Sequence, residues 1–99
     1  MATFISTVKF TEQGLHSIQE TTKRAAAFKA SAKKIGVKVS NIYWTLGAFD
    51  GLIVFDAPDD ETATAAMLQL AAQGFVQTTT ARAFDSAQVE KLVGGVGKK

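Results

Sequence analysis

The stretch Tyr43-Trp44-Thr45-Leu46-Gly47-Ala48-Phe49-Asp50-Gly51-Leu52-Ile53-Val54-Phe55-Asp56-Ala57 decides the fold. Two runs rich in aromatic and β-branched residues flank a connection bounded by Gly47 and Gly51. Such a pattern reads as a β-hairpin. Its first arm, 37–46, places Ile42, Trp44 and Leu46 on one face and Tyr43 and Thr45 on the other. Its second arm, 52–57, is apolar on both faces, with Leu52 and Val54 set against Ile53 and Phe55.

Toward the N-terminus, Gly36 marks a helix end, because glycine adopts the left-handed C-terminal position without strain. Behind it lies one amphipathic helix, predicted over 13–35. Leu15, Ile18, Ala25, Phe28, Ala32 and Ile35 recur at helical spacing, with Thr22 filling the single gap. Thr11 offers the N-cap and Glu12 an anion in the first turn, where the helix dipole favours it. Before that cap, 3–10 alternates as a strand, with Phe4, Ser6, Val8 and Phe10 on one side.

Toward the C-terminus, Pro58 stops the second arm and Asp59-Asp60-Glu61 gathers acids at a helix start. Ala63, Ala66, Met67, Leu70 and Ala71 then form a second stripe, which ends at Gly74. Residues 75–84 read as the last strand, with Thr78, Thr80 and Arg82 on one face. Asp85 or Ser86 caps a short terminal helix to about Val93, and 94–99 reads as a flexible tail.

Strand, helix, two strands, helix, strand is the split βαβ order. It predicts an α+β, ferredoxin-like βαββαβ domain over 1–93. Right-handed crossovers put both long helices on one face of a four-stranded antiparallel sheet. The other face is left open, yet the strands are apolar on both sides. A fully solvated face would read as polar alternation. A homodimer through the open sheet face is therefore expected.

Composition narrows the function classes. The 99 residues contain no cysteine, which removes disulfides, thiolate catalysis and Cys-based metal sites. The single histidine leaves no His/Cys metal cluster, so no metal site is expected. The net charge of +2, without a basic stripe interleaved with aromatics, argues against nucleic acid. No apolar run approaches the roughly 20 residues of a membrane span, and the opening residues lack a signal-peptide pattern. A cytoplasmic protein is expected, and no cofactor is indicated.

The segment Tyr43-Trp44-Thr45-Leu46-Gly47-Ala48-Phe49-Asp50 resembles the GYD-domain family. Phe10-Thr11-Glu12-Gln13-Gly14, Lys23-Arg24-Ala25, Phe55-Asp56-Ala57-Pro58-Asp59-Asp60-Glu61 and Thr78-Thr79-Thr80-Ala81-Arg82-Ala83-Phe84 extend the likeness along nearly the whole chain. The resemblance implies a ferredoxin-like subunit similar to the dimeric α/β-barrel proteins, a group that mixes cofactor-free enzymes with ligand-binding regulators. The family pattern usually carries tyrosine where this chain has Phe49, so any role of that hydroxyl is missing here.

Six residues qualify as ligand-binding candidates: Arg82, Thr78, Thr80, Tyr43, Arg24 and Asp50. Arg82 sits mid-strand, where a cation must pair or reach water. It reads either as a salt-bridge partner or as an anion anchor assisted by the two threonine hydroxyls. Tyr43 and Trp44 occupy opposite faces, so one packs under the helices and the other lines the open side. Asp50 reads as a turn former or a ligand contact. Arg24 reads as a helix-surface partner of Glu20. His16 and Tyr43 are the weak catalytic candidates, although His16 falls off the apolar stripe. Two functions follow. One is a homo-oligomeric ligand-binding or regulatory module, with a small molecule held between the open sheet face and the first helix. The other is a small cofactor-free enzyme of monooxygenase or isomerase type, working in the cavity between sheet and helices.

Overall fold

A computed structural model describes residues 1–97. Strand β1 (Ala2–Phe10) leads into a short helix α1 (Glu12–His16), a 3-10 turn (Ile18–Glu20) and helix α2 (Thr21–Lys34). The hairpin β2 (Lys38–Trp44) and β3 (Gly51–Ala57) follows, then α3 (Asp60–Ala72), β4 (Val76–Ala83) and α4 (Ser86–Gly94). The strands form one antiparallel sheet in the order β2-β3-β1-β4. This is the expected α+β ferredoxin-like arrangement, with β1 and β3 central.

The core lies between the sheet and the helices. Phe4 and Val8 of β1, Ile53 and Phe55 of β3, Phe28 of α2 and Met67 of α3 are all buried. Phe4 stacks on Phe55 with ring centroids 5.4 Å apart. Ser6 is the one buried polar side chain among the described residues. Its hydroxyl is satisfied by the Thr80 hydroxyl at 2.6 Å and the Met67 sulfur at 3.1 Å.

The predicted caps operate as local chemistry dictates. Thr11 Oγ1 accepts from the Gly14 amide at 3.0 Å. Asp59 accepts from the Thr62 amide at 2.7 Å, and the Thr62 side chain together with that amide holds the Asp59 carboxyl below its ordinary range. Gly36, at φ 85°, closes α2, and the Val37 amide bonds back to the Ala32 carbonyl at 2.9 Å.

The single first helix is corrected. The chain breaks at Ser17 (φ −110°, ψ 28°) and restarts at Thr21. The cause lies in Gly14, which α1 presses against the last crossover. A Cβ built on Gly14 would stand 2.1 Å from the Phe75 carbonyl oxygen. The Thr11 amide also donates to that oxygen at 3.0 Å, and the Thr11 hydroxyl donates to the Gly74 carbonyl at 2.6 Å. A five-residue helix pinned there is not collinear with α2 over the sheet. The apolar stripe divides accordingly. Phe28 and Ala32 are buried, whereas Leu15 is 57% and Ile18 38% exposed. Leu46 is likewise corrected. It lies beyond β2 and is fully exposed, because the chain has already left the sheet.

On the open face, Ile5, Leu52 and Val54 are half-buried and Tyr43 is exposed. Thr7, Leu52 and Tyr43 align across three strands, as do Ala81, Ile5, Val54 and Asn41 across four. Beyond the sheet, α4 buries no residue. Four strands span about 20 Å and nine residues about 30 Å. The 56 Å long axis and 15.4 Å radius of gyration therefore require α4 to project, since a chain this long ordinarily has a radius near about 13 Å. The helix is nonetheless well built, with a reciprocal capping box between Asp85 and Gln88. It ends at Gly94. Lys98 and Lys99 of the expected tail lie outside the described residues.

The Gly14 contact generates a test. Gly14→Ala drives a methyl into backbone that cannot yield, and is expected to destabilise the domain by about 3 kcal/mol. Thermal or urea unfolding against the parent protein measures it.

Candidate functional site

The break at Ser17 turns the first residues of α2 toward the sheet. Thr21, Arg24, Ala25 and Phe28 fall at i, i+3, i+4 and i+7, and all four line a cavity between α2 and the β2–β3 hairpin. The cavity measures about 60 Å³. Its floor is apolar, formed by Ile42, Ile53, Phe28, Leu70 and Val76. Phe10, Trp44 and Phe75 add aromatic walls, and Arg24, Thr21 and Asp50 supply polar groups.

Arg24 is the most constrained of these. Its Nη1 donates to the Ser17 carbonyl at 2.8 Å, a second bond to an acceptor that the Glu20 amide already engages at 3.0 Å. Its guanidinium lies over the Phe75 ring, 4.3 Å from the centroid. Its Nη2 is buried and has no hydrogen-bond partner. A sealed donor left in that state costs about 1–3 kcal/mol. The expected pair with Glu20 does not form. Lys23 takes that carboxylate at 3.5 Å on the exposed side of the helix.

Asp50 closes the opposite side. Its amide donates to the Val8 carbonyl at 2.7 Å, and its carbonyl accepts from the Thr45 amide at 3.0 Å. Its Oδ2 accepts from the Phe10 amide at 2.9 Å. One residue therefore ties the hairpin loop to the end of β1, more than the turn former read from sequence. Trp44 packs on the helix side, where its Nε1 donates to Thr21 Oγ1 at 3.1 Å.

The six candidates do not form one constellation. Thr78, Thr80 and Arg82 stand opposite Val8, Ser6 and Phe4, so they share the helix-covered face. They line an open groove beside Met67 and Leu68 of α3. Arg82 donates from Nη1 to the Thr3 carbonyl at 3.3 Å and to the Ala83 carbonyl. Its guanidinium stands 4.4 Å from the Phe84 ring centroid. These contacts occupy it as a brace at the end of the sheet. Tyr43 borders the α2 cavity along its strand, but its ring stands on the other face. Its neighbour Ile42 packs on the core, and alternate residues point oppositely. Only Arg24 and Asp50 of the set bring polar side chains to the cavity.

Neither catalytic candidate presents a side chain there. His16 is exposed on α1, with Nε2 3.9 Å from the equally exposed Glu12 carboxylate. Thr21, Trp44 and Phe75 are cavity residues that the sequence reading does not count among the ligand-binding candidates. The signal for Thr21 is present, since the spacing Thr21, Arg24, Ala25, Phe28 is itself a helical face. Arg24 obscures it by breaking the apolar pattern.

Removal of the Asp50 carboxylate tests the clamp. Asp50→Ala leaves the Phe10 amide unpaired and is expected to lower stability by about 1–3 kcal/mol. Asp50→Asn keeps an acceptor oxygen and is expected to retain most of it. Chemical denaturation of the two variants side by side distinguishes them.

No helix among the described residues is long and apolar enough to cross a membrane. A protein of Thermus thermophilus, the "Glutamine synthetase and cystathionine beta-lyase binding protein", is 32% identical over 90 residues. The match covers 90% of this chain and 95% of the relative. The GYD domain model matches residues 4–93, and the chain belongs to the GYD-domain family.

Proposed function

We propose that this chain is a homodimeric regulatory module that acts by docking on a metabolic enzyme. The observation that carries this reading is a pair of unpartnered apolar surfaces on one small chain. The first is the open sheet face of Ile5, Leu52, Val54 and Tyr43. The second is the α4 stripe of Val89, Leu92 and Val93, spaced i, i+3 and i+4 and exposed throughout, with exposed Val96 just beyond the helix end. Apolar patches of this kind mark interaction sites.

The two surfaces suit different occupants. The sheet face is broad and flat, and it pairs with its own copy by stacking sheets about 10 Å apart. The α4 helix is narrow and projecting, and it suits a hydrophobic groove on another protein. A nine-residue helix is marginal alone in water, so a binding partner supplies what this chain does not. The Thermus relative is named for binding two enzymes, which supports a protein partner of that kind here.

The enzyme alternative has the α2 cavity in its favour, but His16 and Tyr43 send no side chain into it. Docking through α4 needs neither residue.

Native mass spectrometry of the untagged protein is expected to give twice the chain mass. Val54→Lys, which puts a charge at the centre of the sheet face, is expected to return it to one chain with its circular dichroism intact. A parent protein that stays monomeric at micromolar concentration ends the sheet-pairing idea.

The partner arm is read separately, by mixing with purified glutamine synthetase or cystathionine β-lyase of the same organism. Leu92→Asp is expected to abolish co-elution while the dimer persists. Failure of the parent protein to bind either enzyme overturns the docking reading for these partners.

A further inference from the structure

β4 is an edge strand, and the direction of its backbone groups can be read residue by residue. The Thr11 amide donates to the Phe75 carbonyl at 3.0 Å, so these two residues turn their polar groups toward each other across the β1–β4 ladder. The Val8 carbonyl and the Phe10 amide turn the other way, to Asp50. In an antiparallel ladder this direction alternates along each strand. Gln77, Thr79, Ala81 and Ala83, opposite Lys9, Thr7, Ile5 and Thr3, therefore bond to β1. Val76, Thr78, Thr80 and Arg82 point their amides and carbonyls out of the sheet. No hydrogen bond among the described residues engages the Thr78 or Thr80 main chain.

The two edges of the sheet differ. β2 begins at exposed Lys38, and its pairing slips between Val39 and Asn41. A lysine and a bulge are both devices that blunt an edge against further pairing. β4 pairs in unbroken register over eight residues and contains no proline and no lysine. Its one charge, Arg82, is turned onto β1 at the Thr3 carbonyl. Gln77, Thr79, Thr80 and Ala81 are exposed. We propose that β4 pairs edge to edge with β4 of a second copy of this chain, antiparallel about a two-fold axis at Thr79. That centre is the one that pairs all four outward residues. Thr78 exchanges both main-chain bonds with Thr80 of the partner subunit, and Val76 does so with Arg82 of the partner subunit. The threonine pairs are favourable cross-strand neighbours. The two Arg82 residues lie six strand positions apart, roughly 20 Å, so no like charges meet.

The axis stands normal to the sheet, so the helices of both copies stay on one side. The grooves between α3 and β4 then join over the seam, and Leu68, 64% exposed in the single chain, lines the joined groove from each copy. The open faces lie on the other side, and antiparallel pairing sends the two α4 helices off opposite ends. The inference goes beyond the docking reading and occupies neither of its surfaces. A single ladder is small beside the roughly 800 Å² per partner of a standard interface, so it forms at higher concentration than the sheet-face pair. There it links face-paired dimers into larger assemblies.

The test is amide hydrogen exchange of the full chain, followed by NMR at about 50 µM and about 1 mM, a range that brackets a weak ladder. The Thr78 and Thr80 amides are expected to exchange at least about tenfold more slowly at the higher concentration. The Gln77, Thr79 and Ala81 amides, already bonded to β1, are expected to be protected at both. Thr78→Pro removes one outward amide and no bond to β1, a place where an edge strand accepts proline. It is expected to abolish the growth in size that sedimentation velocity records over the same range, whereas Thr78→Val keeps the amide and the growth. Thr78 and Thr80 amides that exchange equally fast at both concentrations overturn the proposal. So does a folded Thr78→Pro that assembles like Thr78→Val. A parent protein that is monomeric at micromolar concentration, yet slows at Thr78 and Thr80 at about 1 mM, supports edge pairing while ending the sheet-face reading.

Discussion

Gly14 lies against the carbonyl of Phe75 at a distance that admits no side chain, and much of the functional geometry follows from that contact. The contact anchors α1 over the junction between β1 and β4. Thr11 reinforces it from the same end, since its amide and hydroxyl reach the Phe75 and Gly74 carbonyls. A helix held there cannot run straight into one that packs across β2 and β3. The chain bends at Ser17, and α2 begins with a new rotational phase. Thr21, Arg24, Ala25 and Phe28 then face the sheet, and the Ser17 carbonyl at the bend accepts from Arg24 as well as from the Glu20 amide. Phe75 takes part twice, with its backbone against Gly14 and its ring beneath the guanidinium.

The hairpin meets this arrangement through a second backbone anchor. Asp50 binds β1 by its amide at Val8 and by its carboxylate at Phe10. The Gly47–Gly51 connection is thereby folded back on the end of β1. Phe49 contributes its carbonyl, which accepts from the Thr45 hydroxyl at 2.7 Å. The loop is held by main-chain and carboxylate contacts, so the phenol absent at position 49 is not needed to shape it. A cavity rim built from two such anchors is stiffer than an ordinary hairpin loop, because each polar group engaged in it would otherwise lose a bond.

Much of the fold is legible in the sequence because periodicity and caps agree. Gly36 and Pro58 punctuate where expected, Thr11 and Asp59 cap as expected, and alternation sorts the strand residues onto two faces. The errors arise where a tertiary contact overrides local pattern. Leu15 and Ile18 continue the stripe of Phe28 and Ala32 in sequence, yet the Gly14 contact carries them away from the core. No local signal distinguishes such a glycine from one tolerated within a helix. The candidate site is less legible for a related reason. Alternation correctly puts Thr78, Thr80 and Arg82 together and sets Tyr43 against Trp44. It does not say which of the two faces the helices cover. The covered face holds the β4 set, and the open face holds Tyr43. Arg24 is visible as a candidate, but its neighbours are hidden by the assumption that an arginine marks the outer side of a helix.

The division of surfaces explains how a chain this small can carry several contacts without conflict. One sheet face supplies the core, and the helices above it leave a cavity at one end and a groove at the other. The opposite face is apolar enough to seek a cover, and its side chains point away from both. The terminal helix leaves the sheet at β4, the edge strand farthest from the β2 edge beside which the α2 cavity lies. An occupant of the cavity would act on α2 and the hairpin, and it would reach β4 both directly at Val76 and through β1, the strand that pairs with both β3 and β4. That strand carries the Asp50 anchor at one end, at Val8 and Phe10, and the Arg82 brace at the other, at Thr3. Coupling carried by the sheet between the cavity and the projecting helix therefore has two routes, across β1 from the hairpin and along β4 from Val76 to the end that leads into α4.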